Sequence, residues 1–272
     1  MNKGAIPSTA SAPKGLWVPH LSSRVWTVWR RDFDVFRRLF WVNFALPMLE
    51  PVLYLLALGF GLGVFIQQIQ GIPYSRFIAP ALVSVAVMYG AFFECSYASF
   101  VRMYYQKTFD AIIATPVNLE EVVAGEILWG ATRAALNSTL VFLVTVAFGL
   151  ASPFPILVVL PLAFLGGLLF GSLGMISTAL VPGIEYFNYP IFLLLMPMFL
   201  FSGTLFPLEI LPRSVQTASF VLFPMTHLVR ITRASMLGHL DPSLLWSLFW
   251  LAGATLILFP LALYLMQRRL IK

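Results

Sequence analysis

The sequence predicts an all-α polytopic membrane protein with six transmembrane helices. Composition, apolar segment lengths and the distribution of charge support that reading. Of 272 residues, 60% are hydrophobic and 10% are charged, against about 25% charged in soluble domains. Mean hydropathy is +0.88. Six apolar stretches, at about 40–66, 77–101, 124–150, 155–181, 187–205 and 243–266, each approach the roughly 20 residues a spanning helix needs. Such a chain cannot clothe a water-facing globule, which excludes a soluble enzyme, and it is too apolar for disorder. A single cysteine, Cys95, excludes an internal disulfide framework.

Charge sets the expected orientation. The net charge is +6, from 17 Lys+Arg and 11 Asp+Glu. Twelve of the basic residues lie in the N-terminal segment, the 102–123 loop and the tail, and four lie in the opposite loops. Basic flanks favour the cytoplasm, so both termini are expected inside, next to anionic inner-leaflet lipid rather than nucleic acid. No cleavable signal is expected, because 38 polar and amphipathic residues precede the first apolar stretch.

The elements follow in order. Residues 1–20 read as a mobile segment, rich in Pro, Ser and Ala at the start; residues 21–272 form one transmembrane domain. In 21–40, Trp26, Trp29, Phe33, Phe36 and Phe40 recur at helical spacing. Ser22 or Ser23 can cap this helix. Paired Trp and flanking Arg30 and Arg37 suit a helix lying in the membrane interface; the alternative is a solvated helix packed on a soluble partner. The inner loop 102–123 holds a short helical turn at Ala111–Ala114, which Thr115-Pro116 ends. Asn118 then caps the third span, with Glu120 and Glu121 in its first turn. Phe109, Ile112 and Ile113 offer an apolar surface to a partner's groove, or lie on the membrane. The segment 203–242 is apolar but broken by Pro207, Pro212 and Pro224. It reads as an outer hairpin of two short re-entrant helices, whose backbone must be shielded by protein. A seventh span over 214–233 would have to carry Arg230 and Arg233.

Nothing in the sequence marks a catalytic centre on this chain. None of the four lysines follows a glycine, so no phosphate-cradling Walker loop exists. No paired-cysteine or His-Glu-x-x-His metal spacing appears, and His20, His227 and His239 are scattered. His227 can touch cargo or make a structural hydrogen bond. Gly59, Gly61 and Gly63, and Gly167, Gly171 and Gly174, offer small faces for close helix packing. Among charges inside spans, three stand out: Glu50, Glu94 and Arg133. They form either a cargo or proton path, or a buried ion pair. At 1.5 Å per residue, Glu94 and Arg133 lie about 12 and 10 Å from the inner surface, with Glu50 near 15 Å. Glu94 is therefore the expected partner of Arg133, and Glu50 the second candidate.

The inner loop TFDAIIATPVNLEEVVAGE, the segment EPVLYLLALGFGLG and the outer run SGTLFPLEILP followed by FPMTHLVR together resemble type-2 ATP-binding-cassette (ABC) exporter permeases, in the nodulation-factor exporter (NodJ-like) branch. The resemblance covers residues 20–270. It implies a permease subunit, not an enzyme, that dimerises and binds two copies of a separate ABC ATPase. That ATPase would hold ATP and Mg, with no cofactor on this chain. The resemblance gives ATPase contact to Trp26–Arg38 and Thr108–Val117, within them Trp29, Arg30, Thr108, Phe109, Asp110, Ile113, Thr115 and Pro116. It places an amphipathic cargo (lipid-linked oligosaccharide, lipid, polysaccharide or drug-like) near the first, second and fifth spans of two copies. Glu50, Tyr54, Tyr97, Phe192, Met196, Phe199 and His227 are the candidate path residues, and Phe187 to Phe201 would face the central path. The implied location is the bacterial inner membrane. A six-span secondary transporter without an ATPase would instead show internal repeats, and an intramembrane enzyme would show clustered catalytic residues.

Overall fold

The computed structural model describes residues 21–40, 49 and 52–270. The expected mobile segment, Glu50 and most of the first half of the expected first span lie outside these residues. The described chain is helical apart from a two-residue antiparallel hairpin, β1 (Gln68–Ile69) with β2 (Ile72–Pro73). Its helices are α1 (Val25–Arg38), α2 (Val52–Val64), α3 (Tyr74–Tyr105), α4 (Thr108–Ile113), α5 (Leu119–Ala147), α6 (Ile156–Leu180), α7 (Ile184–Phe201), α8 (Arg213–Leu222), α9 (Pro224–Leu237) and α10 (Leu244–Leu270).

Five of these, α3, α5, α6, α7 and α10, are long and apolar enough to cross a membrane, and α2 is a shorter apolar helix. The protein is therefore an all-α, multi-pass membrane protein. The central packing is α6 against α3, α5 and α10, with α5 also against α3. Small residues make this possible. A Cβ on Gly167 would sit 2.7 Å from Ala131 Cα, and one on Gly174 would sit 2.6 Å from the Phe92 carbonyl oxygen. The other glycine triplet behaves differently: Gly59 meets Ser75 and Ile78, whereas no described residue lies within 4 Å of a Cβ on Gly63.

The helices differ in regularity. α5 runs 29 residues without a proline or a widened turn, starting from a capping box in which Asn118 and Glu121 bond each other's backbone. The cap is the one its spacing predicts, although the helix begins five residues before the apolar stretch does. α3 carries Pro80 and two π-helical turns, Glu94–Ala98 and Val101–Tyr105.

The outer segment forms two short helices, as expected. Phe223, extended at φ −104° and ψ 106°, precedes Pro224 and separates α8 from α9. Neither piece reaches a full span, which excludes the seventh-span alternative. α9 is buried along Met225–Val229, among α3, α6 and α10, and ends at Gly238 in the left-handed conformation. Its arginines are accommodated without crossing: Arg233 donates to the Gly203 carbonyl at 2.7 Å and lies 4.0 Å over the Phe77 ring, and Arg230 donates to Ser243 Oγ at 2.7 Å.

Candidate functional site

The site begins with a missing side chain. Gly125 in α5 lets α1 approach so closely that a Cβ there would lie 2.6 Å from Val28 Cβ. Val28, Asp32 and Phe36 form the buried face of α1. Trp26 is exposed, but Trp29, Phe33 and Phe36 all meet the Trp129 ring of α5 at centroid distances of 5.5–6.3 Å. Trp29 also donates to Thr132 Oγ1 at 2.9 Å, while Arg30 is exposed.

Docked this way, α1 brings Arg31 and Asp32 to a charged cluster buried at the α3–α5 junction. Arg31 Nη2 lies 2.6 Å from Asp32 Oδ1 and 2.8 Å from Glu126 Oε1. Glu126 is fully buried; its Oε2 accepts from Ser99 Oγ at 2.6 Å and from Arg102 Nη2 at 2.5 Å. Arg102 Nη1 reaches Glu94 Oε1 at 2.9 Å, and Trp129 Nε1 donates to the same oxygen at 3.0 Å. The π-helical turn that begins at Glu94 helps aim Glu94, Ser99 and Arg102 toward α5 together. Burial, and next the charge of Glu126, push the Asp32 carboxyl from its ordinary 3.8 up to about 7.

Arg133 is only loosely held. Its Nε lies 3.7 Å from Glu94 Oε2, within ion-pair range but without a hydrogen bond among the described residues. Glu94, the expected partner, is thus the carboxylate paired with Arg133 at long range; Arg102 and Trp129 hydrogen-bond its other oxygen, and Arg133 rests 4.9 Å over the Phe36 ring.

A cavity of about 740 Å³ opens on this cluster. Arg31, Asp32, Glu94, Arg102 and Arg133 line one part; Leu82, Val85, Phe93 and Val141 supply apolar wall. Tyr54 and Tyr97 of the expected cargo path line it too. Glu50 lies outside the described residues, and the other described path residues do not line the cavity. Phe192 and Met196 are exposed on α7, and Phe199 packs against the core. Phe187 is fully buried against Tyr97 and Phe100, so it does not face a path. His227 is also fully buried, its ring nitrogens 3.1 Å from Ser247 Oγ and 2.8 Å from the Phe220 carbonyl oxygen, its ring stacked on Trp250. Its place in the expected cargo path is corrected to a structural one.

The inner loop forms a second surface. Lys107, left-handed at φ 54°, starts α4. Asp110, Ile113, Thr115 and Pro116 are exposed and Thr108 is half-buried. Phe109 is completely buried, among Met103, Leu119 and Val122, which corrects its expected exposure. In a six-residue helix docked on one side, a side chain of this size serves as the anchor. Arg24 donates to the Pro116 carbonyl and Ser22 Oγ to Glu121, so α1 and this loop form one continuous surface.

Known proteins match this sequence. Residues 23–237 match the family model described as ABC-2 type transporter. The chain belongs to the ABC-2 type transporter family. It is 36% identical over 245 residues to nodulation protein J of Rhizobium leguminosarum bv. trifolii, covering 90% of this chain and 93% of that one. It is 36% identical over 244 residues to nodulation protein J of Sinorhizobium fredii, at 90% and 93% coverage. It is 24% identical over 250 residues to the inner membrane transport permease YadH of Escherichia coli, at 90% and 93% coverage. The protein is thus an ABC transporter permease, and its family implies an ABC ATPase partner in general.

Sequence reasoning on this permease missed Arg31, Asp32, Arg102 and Glu126. The available signal was phase: Glu126, Trp129 and Arg133 share one face of a regular helix, as do Val28, Asp32 and Phe36.

Proposed function

We propose that the chain is the transmembrane half of an ATP-driven exporter, assembled as two copies with two copies of a separate ABC ATPase. The observation that carries this is the continuous surface of α1 and α4, where Asp110, Ile113, Thr115 and Pro116 are exposed beside Arg24. A short exposed helix anchored by one buried aromatic is a fit knob for a partner's groove. ATP and Mg bind the partner; this chain supplies the path and no nucleotide site. Both termini and this surface lie in the cytoplasm of a bacterium, and the bundle crosses its inner membrane. The cargo is amphipathic: a lipid-linked oligosaccharide, a lipid, a polysaccharide or a drug-like molecule.

The test is assembly. The tagged permease, co-expressed with an ABC ATPase encoded beside it, should retain that ATPase through purification. Charge reversal at Asp110 together with Ile113→Asp should release it, and ATP hydrolysis should vanish when the Walker lysine of the ATPase is replaced. Failure of any ABC ATPase to co-purify or to couple hydrolysis would reject the reading in favour of a secondary transporter.

A further inference from the structure

The cavity between α1, α3 and α5 ends on a guanidinium that the protein leaves half satisfied. Arg133 Nε is buried and makes no hydrogen bond among the described residues, whose nearest carboxylate oxygen is 3.7 Å away. Glu94 spends its other oxygen on Arg102 and Trp129. Two further buried polar atoms at this end, Arg31 Nη1 and Asp32 Oδ2, also lack hydrogen-bond partners among the described residues. Among the described residues, three guanidiniums here face three carboxyls: Arg31, Arg102 and Arg133 against Asp32, Glu94 and Glu126. Because burial pushes the Asp32 carboxyl up to about 7, these six described side chains together carry a fraction of positive charge in excess near neutral pH. Beside this excess lies an apolar wall formed by Leu82, Val85, Phe93 and Val141. The volume, about 740 Å³, is that of a ligand-sized pocket. In low dielectric an incompletely paired guanidinium gains strongly from an oxyanion, which it can grip in a planar fork.

We propose that this cavity binds an anionic amphipath, with its phosphate, sulfate or carboxylate head on Arg133 and its hydrocarbon tail along the apolar wall. The proposal rests on the permease reading and deepens it: it gives the cargo a charge sign and places a binding site within one protomer. Glu94 then competes with the ligand head for Arg133, and Phe36 of α1 walls the site, so that occupancy and the seating of α1 are physically adjacent.

Binding is read on the full permease without ATPase, in phosphatidylcholine nanodiscs at fixed ionic strength. Its melting temperature is followed against dodecyl phosphate, dodecanol and inorganic phosphate. Dodecyl phosphate should give a saturable upward shift, at a half-saturating concentration about tenfold or more below that of inorganic phosphate, because the tail adds apolar burial. Dodecanol should give no saturable shift. Arg133→Gln should raise the half-saturating concentration about tenfold. Since that variant also weakens the fold, Arg133→Lys and Glu94→Gln are measured beside it: Lys should retain part of the binding, and Glu94→Gln should tighten it. Dodecanol binding as well as dodecyl phosphate, inorganic phosphate binding as tightly as the alkyl ester, or half-saturation within about twofold of the parent in both Arg133→Gln and Glu94→Gln, would each overturn the proposal. ATP hydrolysis with co-reconstituted ATPase separates the two readings. Coupling without probe binding rejects the anion site alone; probe binding without coupling rejects the exporter.

Discussion

Arg102 on α3 and Glu126 on α5 meet at 2.5 Å, with the carboxylate wholly out of solvent. Glu126 also holds Arg31 at 2.8 Å, so one side chain ties three helices together. Removing one partner of a buried pair typically costs about 3–5 kcal/mol because the other charge is orphaned. Glu126→Leu should therefore lower the melting temperature of the purified permease sharply. Arg102→Leu in the same chain should recover part of that loss. A double variant no better than Glu126→Leu would show that the pair is not the tie.

The docking of α1 should depend on pH through Asp32. Its carboxyl is raised from 3.8 to about 7, mainly by burial. A raised carboxyl contributes stability that is fully present below pH 3.8 and is lost as pH climbs through about 7. Amide hydrogen exchange in α1, corrected for intrinsic rate, should thus be more protected at mildly acid than at mildly alkaline pH. Asp32→Asn should flatten that dependence. Equal slopes in the two proteins would reject the role of Asp32.

Phe109 and Ile113 are four residues apart on α4 and should behave oppositely. Phe109 is buried and Ile113 is exposed. Phe109→Ala should cost about 3–5 kcal/mol of local stability, seen as a lower melting temperature of the permease alone. Ile113→Ala should leave melting unchanged and weaken ATPase retention. If both variants melt like the parent, Phe109 is not the anchor of α4.

On α7, Phe192 and Leu193 are 63% and 74% exposed, whereas Phe187 is 0% exposed. If two copies assemble along this helix, cysteines at 192 or 193 should crosslink between copies, and a cysteine at 187 should not. Crosslinks confined to α6 or α10 would place the dimer contact elsewhere.

The spans, the Asn118 cap and the broken outer hairpin were legible because each depends on neighbours in the chain: apolar length, a capping spacing, a proline after an extended residue. The charged cluster was not, because it is assembled from α1, α3 and α5. Glu126 lay at the edge of its apolar stretch and read as part of the inner loop, and Arg102 read as the loop's first residue. The aromatic pattern of α1 drew attention to Trp26 and Phe33 and away from Asp32, whose burial only makes sense once Arg31 and Glu126 stand beside it. Phe109 misled for a similar reason. A short apolar helix reads as a surface until the fold reveals which of its side chains is spent holding it in place.

The contrast between α5 and α3 has a mechanical meaning. α5 is an unbroken rod about 43 Å long at 1.5 Å per residue, and α4 sits against its capped end. α3, beside it, is jointed at Pro80 and at two widened turns. A push delivered to α4 would travel along α5 as the tilt of a stiff lever. In α3 the same push would be absorbed as bending at its joints, and the first of the two widened turns carries Glu94. Force applied at one face of the bundle would then arrive at the far face through α5 and at the charged cavity through α3, one stroke producing two different displacements.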